Sequence, residues 1–408
     1  MNRSRILLAL VLSALLLPVL PADAVDPRRK VETYPTSGSV AITITGHGFG
    51  HGHGLSQYGA QGAALQGLTW QQIDEFYYPG TTWGPVTGRI RVLITADTGR
   101  DVQVAAARGL KVTSLQRRRT WRLPPLTAGK WRLVAQGDDT LVQSTRGGRW
   151  KTWRKVPGEA EFSSVTGRLT LVLPGDRRDY RGALQSVALR RGERRETVNR
   201  VGMEAYLRGV VPEEVPPLWE PAAVSAQSVA ARTYAAFERS HPAAPHYDLC
   251  DTTQCQVYGG VDVEHPAADA AIAATAGQGL FHEGRPAFTQ FSASNGGFSS
   301  AGSMPYLVAQ ADPYDAVANP TYSTWSRTVD DARIEQQWPA VGDLAAIEVT
   351  TRDGNGDWGG RVVDMAFIGT TGTRVSVDGD TVRSALGLPS SWFTFPSVAQ
   401  RQSGPARP

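Results

Sequence analysis

Glu204-Ala-Tyr-Leu-Arg-Gly-Val-Val-Pro-Glu-Glu-Val-Pro-Pro-Leu-Trp219 runs through Glu220 into Pro221-Ala-Ala-Val-Ser-Ala-Gln-Ser-Val-Ala-Ala-Arg-Thr-Tyr-Ala-Ala236, and the two halves obey different rules. In the first, Pro212, Pro216 and Pro217 fix φ and remove backbone donors. That excludes a regular helix and predicts that Glu213 and Glu214 sit on a stiff loop. In the second, an early proline opens a helix over 221–239, on which Gln227, Ala230 or Ala231 and Tyr234 share a face at i, i+3/i+4, i+7 spacing. Two glutamates ahead of a helix can simply charge its first turn. Held on a rigid loop they are also positioned for chemistry, and the rest of the chain has to decide between these readings.

C-terminal to this segment, a second Ala-rich helix is expected from Ala267 to Thr275, stopped at Gly277. A hairpin turning at Glu283-Gly284, the loop Ser294-Asn-Gly-Gly297 and β-type runs up to Phe393 follow, so this half reads as α+β. N-terminal to it, Arg89 to Thr197 is a succession of short β runs such as Arg89-Ile-Arg-Val-Leu-Ile-Thr95 and Leu169-Thr-Leu-Val-Leu173, separated by Gly-Asp and Pro-Gly turns. Earlier still, the alternating strand Val40-Ala-Ile-Thr-Ile44 leads into Gly46-His-Gly-Phe-Gly-His-Gly-His-Gly-Leu-Ser-Gln-Tyr-Gly-Ala60. Thr69 and Gln72 then form a capping box for a short helix that Pro79-Gly80 ends.

The chain of 408 residues, 41% hydrophobic, is long enough for two or three domains. Arg3 and Arg5 precede an apolar run from Ile6 to Leu20, and Ala22-Asp-Ala24 supplies small residues for cleavage, so 1–24 reads as a secretory signal peptide, with an uncleaved anchor as the alternative. The net charge of +4 conceals an asymmetry: residues 89–200 hold 25 Lys+Arg against 10 Asp+Glu. Arg117-Arg-Arg119, Lys130-Trp-Arg132 and Arg149-Trp-Lys-Thr-Trp-Arg-Lys155 interleave cations with aromatics. That pattern suits nucleic acid in a cytosolic protein and anionic wall polymers in an exported one; a solvated basic sheet face reads the same way.

Several chemistries lack support. The glycine run satisfies neither Gly-x-Gly-x-x-Gly nor a P-loop, and no Gly-x-Ser-x-Gly elbow for a serine hydrolase occurs. His47, His51 and His53 lack carboxylate or Cys neighbours that would complete a metal site. Asp353-Gly-Asn-Gly-Asp357 places Trp358 where a calcium loop needs Gly, so it reads as a hairpin turn. The only cysteines, Cys250 and Cys255, are close in sequence and, in an exported chain, are expected to form a disulfide. A zinc site with His246 is the alternative, without an evident fourth ligand, and no other cofactor is called for.

The central segment is similar to the stage II sporulation protein D (SpoIID/LytB) family of cell-wall lytic enzymes. The matching residues are Gly209-Val-Val211, Glu214-Val-Pro216 and Ala226-Gln-Ser-Val-Ala-Ala-Arg-Thr-Tyr-Ala235, with Val215 where the family usually has Met. Asp248-Leu-Cys250 through Tyr258, Ser292-Ala-Ser-Asn-Gly-Gly-Phe298, Asp312-Pro-Tyr314 and Leu386-Gly-Leu-Pro-Ser-Ser-Trp-Phe393 extend the likeness over 198–394. The glycine segment matches as well, but here it precedes the rest, whereas in the family it usually follows the Ser-Trp-Phe stretch, so the motif order is permuted.

The resemblance implies an α+β, SpoIID-like catalytic domain with an inserted basic all-β module. The regions would be the signal peptide at 1–24, the glycine-loop segment at 40–88 packing on the catalytic domain, the module at 89–197, the catalytic domain at 198–394 and a flexible tail at 395–408. It implies a secreted or wall-associated peptidoglycan lytic transglycosylase that uses Glu214, and not Glu213, as its one general acid and base. Gln227, Arg232, Tyr234, Ser294, Asn295, Gln57 and Tyr58 would line the glycan cleft. Glycan strands are the implied partner, with anionic wall polymers as a further one and no nucleic acid. The alternative is a non-catalytic wall-binding protein or modifier of an amidase.

Overall fold

The computed structural model of the chain describes residues 31–36, 39–125, 129–189, 194–318 and 321–400; the expected leader at 1–24 and the tail from 401 lie outside them. Among the described residues from Arg89 to Gly202 the regular elements are all strands, as alternation such as buried Val102 and Val104 with half-buried Asp101, Gln103 and Ala105 dictates. They belong to one eleven-stranded sheet, completed by a strand from the helical half. Arg89–Leu93 pairs antiparallel with Arg194–Gly202 on one side and parallel with Leu249–Cys250 on the other. The Asp248 carboxylate fastens this junction, accepting from the Arg91 backbone N at 2.8 Å and from its guanidinium at 2.6 and 3.0 Å.

The helical half sits on this sheet. Its elements are α3 (Met203–Leu207), α4 (Val211–Glu214), α5 (Pro221–Ser240) and α6 (Pro266–Ala274), preceded in the chain by α1 (Gln57–Leu65) and α2 (Trp70–Tyr77). Ile90, Val92, Leu184 and Val201 from the strands bury together with Tyr206, Val210, Val211, Ala231 and Ala235 from the helices. The boundary expected at 197/198 is therefore not a division between separate cores; the inner strands of the basic region are the floor of the helical half. The opposite face of α5 packs Ala223, Ala226 and Ala230 against Leu55, Ala60, Ala63 and Tyr78 in another core. Alanines on both faces are what let one helix approach two layers closely. The capping box of α2 is in place: Thr69 N donates to Gln72 Oε1 at 2.9 Å and Gln72 N to Thr69 Oγ1 at 3.3 Å.

A further core lies between a four-stranded sheet containing Leu344–Arg352 and Val362–Gly369 and a three-stranded sheet of Trp325–Val329, Ser39–Gly46 and Phe393–Gln400. Residues 353–361 join two antiparallel strands, the expected hairpin connection, with Asp353 Oδ1 accepting from Asn355 N and Arg361 N. The tail expected from 395 is corrected: the chain stays in a strand to Gln400, because Phe393 and Phe395 bury beside Ile42 and Ile44. Among the described residues, no helix is long and apolar enough to cross a membrane.

Candidate active site

The loop expected around Glu213 and Glu214 is instead one helical turn, α4. Pro212 falls in its first turn, where a missing N–H breaks no hydrogen bond, and Pro216-Pro217 stop it after Val215 N has donated to Val211 O at 3.1 Å. Val211 and Val215 bury, which turns Glu213 outward to solvent and leaves Glu214 half-buried. Behind them the chain 256–260 passes close to Gly209: a Cβ there would lie 2.6 Å from the Tyr258 ring and 2.7 Å from Gly260 O. Gln256 is locked by Tyr206, whose hydroxyl donates to Gln256 Oε1 at 2.8 Å. This close pass brings the Val257 N–H onto the Glu214 carboxylate.

Glu214 lines a cleft of about 310 Å³ together with His51, Gln57, Tyr234, the disulfide loop 253–257 and the strand 290–293. Burial raises its pKa from 4.5 to about 7, with Glu213 adding slightly and the Gln57 and Val257 donors opposing. Gln57 Nε2 reaches Glu214 Oε2 at 3.4 Å. Among the described residues, no second carboxylate lines this cleft.

Gln57 is placed by the glycine segment. Gly48, Gly50, Gly52 and Gly54 all have positive φ, and a Cβ on Gly54 would stand 2.2 Å from Gln290 O. Leu55–Ser56 can then pair in parallel with Phe291–Ser292, the strand that walls the cleft. Ser56 caps α1 and donates to Asp315 at 2.5 Å; Asp315 also accepts from Ser294 Oγ at 2.8 Å. Asp312 accepts from Tyr77 and from Asn295 Nδ2, both at 2.7 Å. Burial pushes both carboxyls up in pKa, and these donors hold them in place.

The expected site residues therefore divide. Gln57 and Tyr234 stand in the cleft with Glu214. Tyr58 is not among the residues that line it; its ring packs 5.1 Å from that of Trp219. Ser294 and Asn295 are fully buried in the Asp312–Asp315 network and serve the wall behind it. Gln227 is buried on α5, with neither amide atom hydrogen-bonded among the described residues. Arg232 does not line the cleft: it is completely buried and grips Glu204 at 2.7 and 3.0 Å while donating to Ile272 O, Gln278 O and Thr275 Oγ1. It binds α3, α5 and the end of α6 together, a role that the helical spacing of its motif does not distinguish from cleft lining.

Missed in the sequence were His51, whose burial holds it neutral with a pKa of about 3, and the Val257 N–H. The first stood inside a recognised motif; a backbone donor leaves no mark in a sequence. The three histidines part company: His47 stacks on Trp358, whereas His51 and His53 stack on each other with centroids 5.0 Å apart, and of the three only His51 lines the cleft.

Cys250 and Cys255 form a disulfide with Cα atoms 5.5 Å apart. Neither sulfur is a free thiolate and His246 Nε2 meets Glu196 at 2.5 Å, so these residues do not fit the zinc alternative.

A family model described as stage II sporulation protein matches residues 191–282. The amidase enhancer of Bacillus subtilis (strain 168) is 33% identical over 140 residues, covering 33% of this chain and 19% of that protein. The stage II sporulation protein D of the same organism is 27% identical over 223 residues, 49% of this chain and 62% of that one. An uncharacterized protein of Brachyspira hyodysenteriae is 34% identical over 114 residues, 28% and 31% of the two chains. The chain thus covers less than two thirds of each of these relatives. The matched stretch contains α3 to α6, the disulfide loop and Glu214. Over residues 191–282 the chain thus matches the SpoIID family of stage II sporulation proteins, and the two Bacillus subtilis relatives it resembles extend that similarity.

Proposed function

We propose that the protein is an exported or wall-associated peptidoglycan lytic transglycosylase that cleaves the bond between N-acetylmuramic acid and N-acetylglucosamine and leaves 1,6-anhydromuramic ends. The observation that carries this reading is a lone carboxyl with a pKa of about 7 in a cleft with no second carboxylate among the described residues. An ordinary glycosidase needs a second carboxylate to activate water or to form a covalent intermediate. When the muramic 6-hydroxyl is the nucleophile, that requirement disappears. Protonated Glu214 gives its proton to the glycosidic oxygen as the bond breaks. The resulting carboxylate takes the proton of the 6-hydroxyl as that oxygen bonds to C1, so the acid is regenerated. Gln57 and the Val257 N–H steady the carboxylate between the two steps. The exposed cations between Arg117 and Lys155 suit anionic wall polymers as a second contact.

One observation favours a second reading: a relative that covers a third of this chain is named for enhancing an amidase. On that reading the cleft holds glycan without cutting it. The two separate when the purified protein is incubated with peptidoglycan, intact and stripped of stem peptides, and the products are weighed by mass spectrometry. Anhydromuramic ends from either substrate support the enzyme; none from both supports the binder.

A further inference from the structure

A second hollow, of about 670 Å³, opens beside the Glu214 cleft and shares Tyr234, Thr253, Gln254 and Cys255 with it. The two are separate hollows that adjoin, with the tip of the disulfide loop and Tyr234 as their common wall. Tyr234 and Glu238 are one turn apart on α5 and close enough to influence each other's titration, Tyr234 lining both hollows and Glu238 the second. Beyond it the hollow is lined by Thr95, Tyr247 and Thr252, with exposed Ala243 on its rim. The chain has 42 Lys+Arg, yet among the described residues none lines either hollow. A hollow that recognised phosphate or carboxylate would present at least one cation. In the second hollow the threonine and tyrosine hydroxyls, the Gln254 amide, the tyrosine rings and the Glu238 carboxylate suit neutral groups rich in O–H and N–H instead.

We propose that this second hollow is a distal saccharide subsite, taking neutral hexosamine units of the strand beyond the bond over Glu214, with the Tyr234–Glu238 pair accepting and donating to their hydroxyl and acetamido groups. It rests on the glycan reading of the Glu214 cleft. Two adjoining hollows fit a polymer better than a single disaccharide, so affinity rises with chain length through the second one.

The test uses the Glu214→Gln protein, which holds ligand without turnover, titrated with N-acetylglucosamine oligomers of two, four and six units. The hexamer is expected to bind at least tenfold more tightly than the dimer. Glu238→Ala with Tyr247→Ala removes most of that gain and changes dimer binding less than twofold. Ala243→Trp, which fills the hollow from its exposed rim, does the same and covers the case in which the double variant folds poorly. Equal affinity at all lengths, or a length dependence that survives Ala243→Trp, overturns the subsite. So does an isolated stem peptide whose binding both variants abolish, since that assigns the hollow to peptide. Failure of the enzyme reading looks different: the length dependence and its loss in the variants persist while the wild type releases no anhydromuramic product.

Discussion

Glu214→Gln should make the protein more stable as the pH rises, relative to the wild type. Burial raises the carboxyl from 4.5 to about 7, so the folded state favours the protonated form. The stability tied to that proton is complete below the unfolded pKa and is lost as pH climbs through the folded one. At pH 8 this preference costs the wild type about 3 kcal/mol, and at pH 5 less than about 1 kcal/mol. Glutamine keeps the shape and does not titrate. The difference in unfolding free energy between the two proteins should therefore move by about 2–3 kcal/mol from pH 5 to pH 8, in favour of the variant. Urea unfolding followed by tryptophan fluorescence at several pH values measures it, and titrating groups that do not interact with Glu214 cancel in the difference. The same shift places the alkaline fall of wild-type activity near pH 7, where the acid loses its proton. Parallel stability curves, or a wild type that gains on the variant as pH rises, would refute the buried, proton-holding carboxyl.

The remaining outcomes are structural. Thiol titration of denatured, unreduced protein should find almost no free thiol, and replacing Cys250 and Cys255 by serine should cost about 2 kcal/mol and reduce activity, because the loop that delivers Val257 loosens; full activity in the double variant counts against that. Gly209→Ala forces a methyl into the Tyr258 ring and should destabilise by about 1–3 kcal/mol, read from thermal unfolding, while an unchanged midpoint contradicts the close pass. Arg232→Met should lower the unfolding midpoint by the loss of about 2 kcal/mol or more and leave KM nearly unchanged; the reverse pattern returns Arg232 to the cleft. Charge reversal at the exposed Arg119, Arg149, Lys151 and Arg154 should weaken sedimentation with cell walls at low salt and matter little at high salt, whereas salt-insensitive sedimentation removes the basic face from wall binding.

Much of the fold was legible where local chemistry is self-sufficient. The alternation from Arg89 onward, the Thr69–Gln72 box, the alanine helix and the turn at Glu283-Gly284 each carry their own cause within a few residues. The helical turn at Glu214 was misread because proline excludes helix only past the first turn, and the sequence does not say where the turn begins. Whether Arg232 faced a cleft or a core depended on Glu204, 28 residues away and on another helix, so the motif alone did not settle it. The strand after Phe393 escaped because its partner lies more than 300 residues earlier. Likewise, the shared core of sheet and helices arises from pairing Leu249 with Val92, a contact without a local signature.

The most direct measurement compares the release of anhydromuramic products by Glu214→Gln and Glu213→Gln on the peptidoglycan preparation that the wild type cleaves. Glutamine at 214 cannot deliver a proton, so turnover should fall by a factor of about 10² to 10⁴. Glutamine at 213 lies outside the cleft on the exposed side of α4 and should leave most activity intact. Equal loss in both variants, or native-rate product release by Glu214→Gln, would contradict a single buried glutamate as the acid and base.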